Sequence, residues 1–331
     1  MPPVTNPVPH AEWTPRTALR QVVRTPTLRH PLRDFGLFGP GSAAWQVWDC
    51  PTVLLATFRA AIVQMLQPAT AAGVAQSSAY QQDSLGRLRR TLDYFMTVVF
   101  GDSRSVVLAS EALRQVHDRV TGIEPITGKP YAANDPENQL WVHMTAWHSV
   151  LYCYERYGPG PLPPQREADY WRDCRIAAEL QVIDPLDVPV TRDGVREYFA
   201  SVRPRLCVSE PAREIIAWLT APSSPELSAV KPILVGMGRA AAVTLPAHLR
   251  DIAGLNSSAL QDTAAAVYGR VTYRIFTPRF SQRIFAAMSP EAWAVWQSAV
   301  STTTRPDPAT HSVTDARTTH LLSRSRPPAA I

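Results

Sequence analysis

The chain has 331 residues, is 45% hydrophobic and 18% charged, and carries a formal net charge of +5. This is an ordinary globular composition, with enough apolar material for one large domain or two medium ones. The basic excess is nearly all arginine and sits largely at the ends, with Arg16, Arg20, Arg24, Arg29 and Arg33 at one and Arg305, Arg317, Arg324 and Arg326 at the other; Lys129 and Lys231 are the only lysines. No basic stripe follows one helix and no finger-type Cys/His spacing occurs, so we expect no nucleic-acid partner. Cys50, Cys153, Cys174 and Cys207 are scattered without a CxxC, which points to buried thiols in a reducing compartment rather than a disulfide or zinc scaffold. The opening MPPVTNPVPHAEW lacks the basic-then-apolar pattern of a leader, and no apolar run reaches about 18 residues. We therefore expect a soluble, cytoplasmic protein with no transmembrane segment.

Residues 1–35 are rich in Pro, Thr and Arg without a sustained period and read as an extended arm; residues 305–331 read as a disordered polar tail. Between them, residues 36–304 form helix-like segments punctuated by Pro and Gly, with no alternating strand run and no repeat. The fold class is mainly α, a single large helical domain. A first helix covers about 52–67, stopped by Pro68, and a short Ala-rich turn follows to Gln76. Ser84 opens the next, which runs to Phe100 before Gly101, with Leu85, Leu88, Leu92, Phe95, Met96 and Val99 on one face. Another spans about 105–121, with Val106, Ala109, Leu113, Val116 and Val120 expected inward. Asp135-Pro136-Glu137 then gives a cap, a first-turn proline and a first-turn acid. The helix they open ends at Gly158 and holds no formal charge between Glu137 and Glu155 beyond what His143 and His148 carry, so it is expected to be the buried centre. Further helices are expected at 164–182, 191–206, 209–219 and within 227–300.

Chemistry-bearing candidates cluster in the middle of the chain. His117 lies at the margin of its helix's apolar face, one turn after Arg114. An imidazole there suits either a hydrogen-bonded packing role or an axial ligand to heme iron. Arg87, Arg90, Tyr94 and Thr97 share the face opposite the leucines, with Thr91 at its edge; this is a solvated face or a pocket of donors. His143 and His148 are about 140° apart around their helix and cannot chelate one metal together. His143 reads as a buried hydrogen-bonded histidine, with a cofactor contact as the sharper alternative. HExxH, GxSxG, Walker A and strand-borne GxGxxG patterns are absent. Asp102, Asp118 and Asp135 are explained as turn, surface and cap residues.

The run QPATAAGVAQSSAYQQDSLGRLRRTLDYFMTVVFGD, then RQVHDRVTG, then GKPYAANDPENQLWVHMTAWHSVLYCYERYG, resembles the MpaB/rubber-oxygenase family, which includes latex-clearing-protein-like members. The likeness covers roughly residues 36–300 and is strongest from 64 to 158. It implies an α-helical protein with a b-type heme lodged among its central helices, an axial histidine from an RxxH segment, and O2 as cosubstrate. Carried over, His117 is the iron ligand, Arg114 of the same segment is a cofactor contact, and the distal Arg-x-x-Lys-Thr cluster becomes Arg87, Arg90 and Thr91, with Arg90 in the lysine's place; His143 joins the cofactor contacts on its own position in the charge-free helix. The glutamate base of rubber-cleaving members has no counterpart: between Cys50 and Gly86 the only carboxylate is Asp83. Gln67 stands where many relatives have a histidine before the proline. The implied activity is an oxygenase-type oxidoreductase acting with O2 on a small hydrophobic substrate, of which unsaturated isoprenoid-like compounds are one class. The alternatives are a non-catalytic heme-binding or sensing protein and a cofactor-free helical scaffold.

Overall fold

In the computed structural model, the described residues are 34–76, 84–181, 183–222, 227–275, 278–301 and 312–324. The arm expected over residues 1–35 lies outside them except for its last two residues. Fifteen α-helices occur among the described residues. The first seven are α1 (Ala43–Trp48), α2 (Val53–Gln64), α3 (Pro68–Gln76), α4 (Ser84–Phe100), α5 (Ser103–His117), α6 (Pro136–Tyr157) and α7 (Pro164–Ala178). The rest are α8 (Arg192–Val202), α9 (Glu210–Thr220), α10 (Lys231–Ala242), α11 (Ala247–Ala253), α12 (Ala259–Ile275), α13 (Pro278–Met288), α14 (Pro290–Ser301) and α15 (Val313–Arg324). The mainly α expectation holds. No single helix among the described residues is long and apolar enough to cross a membrane; α2 and α3 reach that length together, but they meet at 107°.

Capping chemistry explains most boundaries. Ser42 accepts from Trp45 N to open α1, Asp102 from Ser105 N to open α5, and Ser209 from Ala212 N to open α9. Pro68 does more than stop the preceding helix: it is the first residue of α3, where its missing N–H costs nothing. At Asp135 the expected cap position is right, but the carboxylate accepts from Ala132 N instead of from its own helix.

The charge-free α6 is the centre. Trp141, His143, Met144, Trp147, Val150, Cys153 and Tyr157 are all buried, and α2 lies along it as the most extensive helix pair. Trp147 is ringed by Phe38, Trp48 and Tyr170, with centroids 5.2–6.1 Å away, and Trp48 stacks on Phe95 of α4. α10 packs on α2, α9 and α12; α13 and α14 cover α4. Arg59 of α2, only 4% exposed, donates to Ser149 Oγ on α6 at 2.8 Å and to Thr244 Oγ1 after α10 at 3.1 Å, and lies over the Tyr152 ring. Cys50, Cys153 and Cys174 are buried free thiols, whereas Cys207 is half-exposed.

Four expectations are corrected. A hairpin follows α5, with β1 (Thr121–Ile123) antiparallel to β2 (Pro130–Ala132); strands of three residues are too short to show alternation. The helix expected to reach 121 ends at His117, because Arg119 N and Val120 N turn to the carbonyls three residues back and the chain then extends. Val116, expected inward, is 58% exposed. The tail expected from 305 contains α15, which packs along α5 and buries Val313 and Ala316. A short amphipathic helix with two small buried anchors leaves a faint apolar period in a polar sequence.

Candidate functional site

Geometry around His117 follows from the α5–hairpin–α6 connection. The hairpin leaves α5, folds back through Glu124, whose carboxylate accepts from the backbone N–H groups of Ile126 and Thr127, and returns the chain to its starting point. Its inward residue Tyr131 lies against Gly73 of α3 and donates to Gln76 Oε1 at 2.8 Å. Asn134 then donates to the Arg114 carbonyl at 3.0 Å and to Asp118 Oδ1 at 2.7 Å, tying the return to the end of α5. One turn into α6, Gln139 reaches back: its Nε2 is 2.8 Å from His117 Nδ1, 2.7 Å from the Ala133 carbonyl and 3.2 Å from Asn134 Oδ1.

His117 is half-buried, and its proton affinity is lowered chiefly by that burial and next by the Arg87 guanidinium; Asn134 and Asp118 oppose the shift. The imidazole is thus held toward its neutral form, the one that can ligate a metal. Arg87 itself lies half-buried on α4, donates to the Val74 carbonyl of α3 at 3.2 Å, and has its own proton affinity lowered by burial and by neighbouring Arg90. Arg90 and Thr91 are exposed one turn further along α4. The polar face then dips inward: Tyr94 OH accepts from Gln181 Nε2 at 2.7 Å, and Thr97 is 9% exposed.

Two other expected site residues stand apart from this group. Arg114 is exposed, and its backbone carbonyl, rather than its guanidinium, serves the Asn134 contact. His143, 1% exposed, lies one turn after Gln139 and donates from Nε2 to the Cys174 carbonyl of α7 at 2.8 Å, so the hydrogen-bonded reading of that residue describes its contacts. Its Nδ1 is buried and finds no hydrogen-bond partner among the described residues. Asp83 lies outside the described residues. Gln67 donates to Asn138 Oδ1 at 3.0 Å, which puts this departure from the family pattern beside Gln139's neighbour.

Neither Gln139 nor Asn134 stands out as a site residue in the sequence. A single amide on an otherwise apolar helix face, four residues before a buried histidine, was the available sign. Among the described residues no group of three or more His, Cys, Asp or Glu converges as a metal cage. What the chain offers is one half-buried imidazole held toward its neutral form, the kind of single ligand that a metal already held by four ring nitrogens takes from one side. That imidazole fits a porphyrin-borne iron in donor type. On the opposite face of α4, a narrow cleft is lined mainly by apolar side chains, among them Trp48, Leu54, Leu92, Met96, Phe285 and Met288.

Comparison with curated proteins and with solved structures finds no match. A family model described as ER-bound oxygenase mpaB/B'/rubber oxygenase, catalytic domain, matches residues 45–275. That stretch contains every element around His117 and Arg87 and most of the chain, and the protein therefore belongs to the ER-bound oxygenase mpaB/B'/rubber oxygenase family.

Proposed function

We propose that the protein is a heme b-dependent oxygenase-like oxidoreductase, with His117 as the protein's iron ligand and O2 as cosubstrate. The observation that carries this reading is the hydrogen-bond network that holds His117 at the end of α5, within the stretch that the oxygenase family model matches: Asn134 ties the returning hairpin to α5, and Gln139 Nε2 stands 2.8 Å from His117 Nδ1. Arg87, thirty positions earlier, adds a positive charge that lowers the imidazole's proton affinity. A bound heme would supply the oxygen chemistry; the chain's residues do the rest. His117 stays neutral because burial and Arg87 disfavour its protonation. Arg87, half-buried, keeps positive charge near the site, and Arg90 and Thr91 offer donors where negative charge develops on oxygen or where a propionate needs a partner.

The test is an absorption spectrum of the purified, heme-supplemented protein in ferric and dithionite-reduced forms. A Soret band that is lost or strongly shifted in His117→Ala is the expected result; a colourless protein removes the proposal. Arg90 in the lysine's place and the missing glutamate favour a second reading, heme binding without turnover. A stable complex of the reduced protein with O2, and no product from isoprenoid or fatty substrates, would select it.

A further inference from the structure

The orientation of the amides around His117 is fixed by groups that can act in only one sense. The Arg114 carbonyl and the Asp118 carboxylate are acceptors, so the side of Asn134 facing them, at 3.0 and 2.7 Å, is its nitrogen. Its oxygen therefore faces Gln139. Both that oxygen and the Ala133 carbonyl, at 3.2 and 2.7 Å, require the Gln139 nitrogen on their side. The same nitrogen stands 2.8 Å from His117 Nδ1. Its two hydrogens go to the two nearest acceptors, the Ala133 carbonyl and Nδ1, with the Asn134 oxygen at the longer distance; Nδ1 therefore accepts, and a neutral imidazole accepting at Nδ1 carries its proton on Nε2. A ring in that state has no lone pair at Nε2 for a metal, and its Nδ1 is occupied.

We infer that Gln139 is the residue that positions His117, and that it holds the free imidazole in the Nε2–H tautomer. Iron can then be taken at Nε2 only when the Gln139 amide turns over to accept from Nδ1–H. This rests on the heme-ligand reading above. Ligating histidines commonly donate their second ring N–H to an oxygen, which fixes the tautomer and strengthens the ligand. Gln139 holds such an oxygen on the same amide group, turned to the other side. Heme uptake is thereby coupled to reversal of one side chain, and the Ala133 carbonyl and Asn134 lose a donor in the exchange.

The experiment uses the full chain with 15N-labelled histidine, first without heme. Long-range proton–nitrogen spectra are expected to give His117 as Nε2–H in the wild type and as a mixture in Gln139→Leu. Hemin is then titrated. Gln139→Leu is expected to bind about tenfold more weakly and to lower the iron–imidazole stretching frequency of the reduced protein. Gln139→Glu, which only accepts, is expected to restore binding and raise that frequency above the wild type. Should Gln139→Leu fail to fold, the wild-type tautomer and the Gln139→Glu frequency still decide. His117 found as Nδ1–H in the heme-free wild type, or one frequency shared by the wild type and both variants, overturns the inference. A wild type that takes up no heme, or a bound-heme spectrum indifferent to His117→Ala, overturns the ligand reading and with it the iron half of the inference. The heme-free spectrum distinguishes that failure from a failure at Gln139.

Discussion

Burial holds the His143 imidazole at about 4, against an ordinary 6.5, with the Cys174 carbonyl opposing the shift. In the unfolded chain the same ring protonates near 6.5, so between these values the unfolded state binds the extra proton and folding loses stability as pH falls. The loss is on the order of 3 kcal/mol by pH 4. Asp173, raised to about 6 by burial, works in the opposite sense, gaining stability as it protonates below that value. Comparison with His143→Gln, which keeps a neutral donor, removes the aspartate contribution from the difference. The unfolding free energy of wild type minus variant should drop by about that amount from pH 7 to 4, and a flat difference would show that the ring is solvated. At this scale sequence pattern carried far where a residue type is chemically distinctive. His117, Arg87 and His143 could be singled out because ionisable groups beside apolar runs need an explanation. Gln139 could not, because an amide's role lies in which neighbour faces its oxygen, and that depends on a hairpin too short to leave a pattern.

Arg59 joins three elements. It is a charged group on α2 whose contacts on α6 and the turn after α10 go to neutral partners, namely Ser149, Thr244, His148 and the Tyr152 ring. Burial lowers its proton affinity and that of His148 beside it. An apolar side chain of similar length should do nearly as well, because removing a buried charge together with its desolvation cost is often close to neutral. Both variants leave the Ser149 and Thr244 oxygens without this donor, but Ala also leaves a cavity, so Arg59→Met is expected to cost about 2 kcal/mol less than Arg59→Ala. Denaturant titration of the two variants measures this, and equal losses would mean that the charge itself holds the helices. Helix identities and the central place of α6 followed from the apolar period and from the capping residues. Ends were read less well, since the stop at His117 is set by carbonyl partners three residues back, a choice made by the returning hairpin.

The C-terminal helix covers the outer side of α5, whose last residue is the candidate ligand. Ending the chain after residue 311 would uncover that side and release Val313 and Ala316, for a loss of about 2 kcal/mol and a fall in melting temperature of several degrees. Amide exchange in α5 should rise in the truncated chain more than exchange in α6; equal protection in both would show that α15 is a passenger. The thiols offer a view of how far such openings spread. Burial pushes Cys153 up to about 12 and raises Cys174 well above the ordinary value, while Cys207 stands half-exposed. An alkylating reagent meets one accessible sulfur and three closed ones, spread over the α1–α2 turn, α6 and α7. If those three are modified at a single common rate the molecule opens as one cooperative unit, and if at three rates it comes apart in stages, each with its own clock.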